Sequence, residues 1–344
     1  MNSNLSNSQK VGDRNQSLVT PISFLLILWI LLPIVSCSEE VMDNPSEIEY
    51  ETSIMIVPDI QNYTHKEDRF KYLNAIADYY HENRGRFEAI LQVGDLTNNN
   101  QVWQYENAYQ HFYCRFDKDD QLVFCLGNHD YGSNGNSGIR LSNVPESMLP
   151  LYDIRMEGTK WENYIKYITL AGKRYGIIVL EFCTRNETLE WANTIISSDT
   201  LTPYIVLTHA FLNEKGEMYD IDNTAIKNYD SPKAYKMGDD YKNDSKEIFE
   251  KLIYNNINIK LVICGHSLTP SYMNVLSVSN KQGIPVHMIM VNYQHYREGG
   301  EGNVGILDIS GDSYRLRSFS TYLRRYGDSD IRFGTASINS NSEL

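Results

Sequence analysis

Five stretches of this chain end an apolar run in side chains that can bind a metal or move a proton. The run Ile54-Met55-Ile56-Val57 stops at Pro58-Asp59-Ile60-Gln61, and Ile90-Leu91-Gln92-Val93 stops at Gly94-Asp95. Leu122-Val123-Phe124-Cys125-Leu126 stops at Gly127-Asn128-His129-Asp130; "YIVLT" stops at His209, and "LVIC" at Gly265-His266-Ser267. Any one of these reads as a turn, because Gly, Asn and Asp favour turns. In series they deliver carboxylate, carboxylate, amide with imidazole, imidazole and imidazole, each at a predicted strand end. Mixed Asp, Asn and His donors suit borderline divalent ions such as Zn, Mn or Fe, which accept oxygen and imidazole nitrogen alike. Glycine precedes the functional residue in three of the five, which lets the chain turn sharply there.

Strands and helices must alternate to bring these ends together. Residues 52–60 are β-rich, and "EDRFKYLNAIADYYHEN" then places Phe70, Leu73, Ile76, Ala77 and Tyr80 at helical spacing. "FEAILQVGDL" predicts a strand and "QVWQYENAYQHFYCRF" a helix leading into the 122–126 strand. That order implies parallel pairing through right-handed crossovers. The second half adds a hairpin over 162–182 turning at Ala171-Gly172-Lys173, a helix in "TLEWANTIISSD", a buried strand in "YIVLTHAF" and a polar insertion at 212–244. A helix in "KEIFEKLIYN", a strand in "INIKLVICGHS" and alternating strands in "MIMVNYQ", "VGILDI" and "YRLRSFS" complete it. The class is α/β, with one domain over 51–325 and a flexible tail over 326–344.

The chain has 344 residues, 42% of them hydrophobic, and a net charge of -13. That balance argues against a nucleic-acid surface, which needs clustered Lys and Arg, but leaves room for small phosphorylated substrates at a metal site. Near the start, Lys10 and Arg14 precede "ISFLLILWILLPIVSC", whose apolar core of about 14 residues is short of the roughly 20 that span a membrane. A basic start, a short apolar core and small residues mark a secretory signal peptide over 1–37. Ile34-Val35-Ser36-Cys37 resembles the bacterial lipobox. The resemblance implies a lipidated Cys37 and an exported domain tethered by acyl chains at the outer membrane or cell surface, and residues 38–50, acidic and without periodicity, read as the linker between anchor and domain. Cys114, Cys125, Cys183 and Cys264 remain, and spacing selects no pairing among them; Cys125 and Cys264, inside apolar runs, read as small buried hydrophobes.

The order Asp-x-Gln, Gly-Asp, Gly-Asn-His-Asp, His, Gly-His resembles the calcineurin-like metallophosphoesterases over about residues 52–310. The resemblance implies a four-layer α/β/β/α fold, two mixed β-sheets packed as a sandwich and flanked by helices. It implies two divalent metal ions (Mn, Fe or Zn) that hold a hydroxide and hydrolyse phosphate mono- or diesters. Carried over by residue, Asp95 bridges the two ions, Asn128, His209 and His266 complete one, and Asp59 ligates the other with the carbonyl of Gln61. His129 contacts the phosphate and assists the leaving group, with Asp130 orienting it.

Two departures stand out: Gln61 where the family commonly has His, and Leu268 where it often has a second His. Leu268 can ligate nothing, so the second ion is short of donors. His295 and His65 are the nearest substitutes, though each reads better as a surface histidine. Arg297, beside His295, can meet a phosphate through its planar fork. A rival reading is a catalytically weakened binding lipoprotein on the same fold, separated from the enzyme by whether His129 matters. Substrate contacts are expected in loops 132–160 and 212–242, whose tyrosines (Tyr152, Tyr219, Tyr229, Tyr235) read as packing. Monoester and diester fit equally, and oligomeric state stays open.

Overall fold

The structure, a computed structural model, describes residues 49–138, 140–226, 228–237 and 242–335. The signal segment, Cys37 and most of the linker lie outside these residues. Among the described residues, no helix is long and apolar enough to cross a membrane.

In chain order the strands are β1 Thr52–Val57, β2 Phe87–Gln92, β3 Leu122–Phe124, β4 Ile154–Arg155, β5 Tyr164–Leu170, β6 Lys173–Val179 and β7 Tyr204–Leu207. They continue as β8 Ile259–Cys264, β9 Met273–Ser279, β10 Pro285–Val291, β11 Asn303–Ser310, β12 Ser313–Ser320 and β13 Arg325–Gly334. A six-stranded sheet runs β13-β12-β11-β1-β2-β3, and a seven-stranded sheet runs β4-β5-β6-β7-β8-β10-β9. Both are mixed. β1, β2 and β3 pair in parallel while β11 joins β1 antiparallel; β6, β7, β8 and β10 pair in parallel, flanked by antiparallel β5 and β9.

Alternation along the central strands builds the layers. In β1, Ile54 and Ile56 enter the core between the sheets, with Leu91 of β2, Leu207 of β7, Ile263 of β8 and Ile289 of β10. Met55 and Val57 face the other way, onto α2 (Phe70–Glu82) and α3 (Val102–His111), after the single turn α1 (Gln61–Thr64). On the far side, Val206, Val262 and Met288 pack against α4 (Asn186–Ser198) and the segment formed by α5 (Ser245–Ile248) and the π-helical turn Phe249–Ile253. The result is helix, sheet, sheet, helix, as expected.

The hairpin turns where expected, with Ala171 (φ 49°) and Gly172 (φ 71°) both in the left-handed region that a tight two-residue turn requires. One boundary needs correcting. β13 pairs with β12 along to Gly334, so the domain continues past residue 325, and only 336–344 of the expected tail lie outside the described residues. The polar-charged pattern of β13 hid it: it is a mostly exposed edge strand, held by main-chain pairing and by the Arg315–Asp330 ion pair (2.7 Å), with Phe333 stacked on Tyr314.

Candidate metal centre

Because β1, β2, β3, β7, β8 and β10 point the same way, their C-terminal ends share one rim, at the seam of the two sheets. Asp59, Asp95 and Asn128 come from one sheet, His209 and His266 from the other, and all are buried. Two of the functional residues have left-handed backbones, Asp95 (φ 50°) and His266 (φ 69°), a conformation that surrounding packing must enforce.

The glycines before them serve close approach more than sharp turning. Gly94 alone needs its freedom (φ 100°), and a Cβ there would lie 2.6 Å from His209 Nδ1. A Cβ at Gly127 would collide with the Asp95 carboxylate, and one at Gly265 would lie 2.5 Å from Asp59 Oδ1. Neither has a positive φ.

The hydrogen bonds fix how each imidazole faces the seam. His209 Nδ1 donates to the Val93 carbonyl (2.7 Å), so Nε2 carries the lone pair available to a ligand. His266 Nε2 donates to the Asp230 carbonyl (2.9 Å), so Nδ1 is its free nitrogen. That nitrogen lies 3.2 Å from His209 Nε2, which is also 3.2 Å from Asn128 Oδ1 and 3.4 Å from Asp95 Oδ1. Three acceptors thus surround His209 Nε2, a point that either a second proton on that ring or a cation can fill. Ligand atoms around a tetrahedral ion with bonds of about 2.1 Å sit roughly 3.4 Å apart, which the three separations from His209 Nε2 match. The carbonyls on the outer nitrogens are the support that metal-binding histidines need.

Charge states in the ion-free chain agree. Burial would pull His209 down, but Asp95 and Asp59 hold it up at about 9. Burial would raise Asp95, but the neighbouring histidines, His209 first, keep it well below the usual carboxylate range. Burial and the charge on His209 push His266 down to about 3, and burial lifts Asp59 well above an ordinary Asp. A proton on His209 thus occupies the place a cation would take.

Asp59, Asp95 and His209 also form a buried group whose ligand atoms all lie within 4.8 Å of one another. The remaining sequence candidates divide. Gln61 is buried beside this group, but its amide nitrogen donates to Gln294 Oε1. His65 bonds the Gln61 carbonyl (2.8 Å), and His295 and Arg297 are exposed; none of the three joins the buried donor group. Tyr219 is buried and Tyr235 stands edge-on to His266 and Phe182, so these two pack, while Tyr152 and Tyr229 are exposed. Among the described residues no disulfide joins Cys114, Cys125, Cys183 and Cys264; all but Cys114 are buried, and the Cys183 thiol donates to the Pro232 carbonyl (2.9 Å).

His129 is the member of Asn128-His129-Asp130 whose side chain reaches solvent. Its backbone N–H donates to Asp95 Oδ1 (2.9 Å), and its Nδ1 meets the Asn98 carbonyl (2.6 Å), which leaves Nε2 facing outward. Asp130 was expected to orient that ring and does not. Its carboxylate accepts from the backbone N–H groups of Leu96 (3.0 Å), Thr97 (2.9 Å) and Gly127 (3.0 Å), and from the Thr97 hydroxyl (3.0 Å). It clamps the loops after β2 and β3 together, and burial plus the charge on Asp95 push it up to about 6.

Sequence reasoning passed over Asn292 and Gln294. Asn292 follows β10 and crosses the seam, donating to Asp59 Oδ2 (2.9 Å) and to the His266 carbonyl (2.9 Å). The signal was present, since "MIMVNYQ" is a sixth apolar run ending in polar residues.

The sequence pattern of the calcineurin-like phosphoesterases matches residues 52–270. The chain belongs to that family. Its two mixed sheets flanked by helices are the fold of a calcineurin-like phosphoesterase. No curated protein matches the sequence. Among solved structures, the chain is similar to GAP50, the anchor in the inner membrane complex of Plasmodium (12% identity, TM-score 0.46, 82% of this chain and 88% of that one). It is also similar to purple acid phosphatase PPD1 from yellow lupin (10%, 0.49), covering 82% of this chain and 53% of that one. A third is vacuolar protein sorting 29 from Cryptosporidium parvum (10%, 0.34), with 83% and 100% covered.

Proposed function

We propose that this calcineurin-like phosphoesterase is a metal-dependent hydrolase of phosphate mono- or diesters. The observation that carries the reading is His129, tied through its backbone to the donor Asp95 and presenting an open imidazole nitrogen beside the donor cluster. A scaffold that only bound a metal would have no need of it.

Asp95, Asn128, His209 and His266 would hold a divalent ion, which supplies Lewis-acid polarisation of a phosphoryl oxygen and a lowered pKa for water. The protein does the rest. The buried rim excludes bulk water behind the donors. The Asn98 carbonyl fixes the His129 ring with Nδ1 protonated, so a second proton on Nε2 is aimed outward at a leaving oxygen. Asp130 keeps the two loops that carry Asp95 and His129 in register.

The enzyme reading is tested by turnover of an aryl phosphate monoester and diester with and without chelator. Chelator-sensitive hydrolysis that is lost in Asp95→Asn and His266→Ala supports it, and hydrolysis unchanged in both overturns it. We propose further that the domain is exported and tethered through lipidated Cys37, on the strength of Ile34-Val35-Ser36-Cys37 after a short apolar core. Incorporation of a clickable fatty acid that disappears in Cys37→Ala tests this; equal labelling of both chains refutes it.

A further inference from the structure

The two halves of the donor rim are not equivalent, and the difference lies in the amides from the end of β10. Asn292 is fully committed. Both hydrogens of Nδ2 are used, on Asp59 Oδ2 and on the His266 carbonyl, while its Oδ1 accepts the Gln294 backbone N–H (2.9 Å). Chemistry fixes that orientation. Turning the amide over would set its oxygen against a carboxylate and a carbonyl, and its NH₂ against an N–H.

Asp59 is therefore met from the β10 side by an amide hydrogen. Next to it, Gln61 gives its Nε2–H to Gln294, and Asn62 Nδ2 donates to the Gln294 carbonyl (2.8 Å), closing that side with neutral groups. Position 268, after His266, holds Leu and offers no donor atom. A second ion would be left with Asp59, a share in Asp95 and the Gln61 Oε1, which is buried and has no hydrogen-bond partner. That is three protein oxygens against the four-donor set of the first position, and the imidazole beside them, His209, has its Asp59-side Nδ1 already given to the Val93 carbonyl.

We propose that Asn292 and Gln294 take the place of a second cation, so that the chain holds a single divalent ion on Asp95, Asn128, His209 and His266. Asp59 is then held by an amide and serves to position His266, whose main chain it shares with Asn292. The Gln61 Oε1 remains as an acceptor for a water or a hydroxyl. This rests on the reading of the rim as a metal centre, and the experiment separates the two.

The intact chain is dialysed against Mn2+, its bound metal is counted by elemental analysis, and the bound ions are examined by electron paramagnetic resonance. Wild type is expected to hold one magnetically isolated Mn2+ per chain. Two exchange-coupled ions in wild type would overturn the proposal and leave the metal-centre reading intact, whereas none would overturn both. In Asn292→Asp, a carboxylate replaces the blocking amide, and the count is expected to rise to two. In Leu268→His, with Asn292 retained, it is expected to stay at one. A single ion in Asn292→Asp, or two in Leu268→His, would overturn the part assigned to Asn292.

Discussion

The seam between the sheets ends in two neighbouring polar regions built on different principles. Around His209, which follows β7, three acceptors from the ends of β2, β3 and β8 converge 3.2–3.4 Å from its Nε2, and the outer nitrogens of both histidines are bound by main-chain carbonyls. Around Asp59, each hydrogen bond runs from an amide donor to an acceptor, and the network is nearly closed on itself. The first region carries its positive charge as a proton on His209, which a cation can replace. The second is already satisfied by hydrogens. Proximity to carboxylates is thus not enough to make a metal site: what matters is whether the neighbours aim lone pairs or hydrogens at the same point.

This contrast can be broken from several directions. The largest effect is expected at the centre of the first region. Replacing His209 with Ala should empty the site and lower turnover by roughly a thousandfold or more, since an ion contributes several kcal/mol to stabilising the developing charge. Metal analysis and phosphatase assay on the same sample check it. His129→Ala should leave the ion in place and lower turnover by about 10²–10⁴, the range for a positioned proton donor. Loss of metal in that variant would instead make His129 part of the binding set.

A stability effect comes next. Asp130→Ala strips the partner from three buried backbone N–H groups and should cost about 3 kcal/mol or more in urea unfolding, given roughly 1–3 kcal/mol for each unsatisfied buried group and some relaxation. If Asp130 served mainly to orient His129, stability would hardly change and only turnover would fall.

A smaller effect is expected from pH. His209 sits at about 9 in the ion-free chain, so at neutral pH its proton must leave before Nε2 can ligate. Metal uptake at pH 7 should therefore release at least one proton per ion, and affinity should weaken about tenfold per unit as pH falls. Calorimetry in two buffers of different ionisation heat measures the release. An affinity flat between pH 6 and 8 would show that His209 does not ligate.

Much of this protein was legible in its residues. Apolar runs marked β1, β2, β7 and β8, because strands covered on both faces must be apolar throughout. The polar residues ending them marked the rim, because a parallel α/β arrangement puts those ends together. β13 was missed because an edge strand is held by main-chain bonds, which leave little trace in side-chain pattern. The role of Asp130 was misjudged because adjacency to His129 in sequence says nothing about where a carboxylate points on a tight turn. Its partners proved to be the main chain of Leu96, Thr97 and Gly127, on two different loops.

By itself the sequence determined the layer order and the supply of donors, since both follow from local pattern: the period of apolar residues, and what stands where each run stops. Only the tertiary structure decided which donors share a point and which are neutralised by a neighbour. Asn292 and Asp59 are 233 residues apart and meet across the seam at 2.9 Å, and no local pattern records which atom of a distant amide will face a carboxylate.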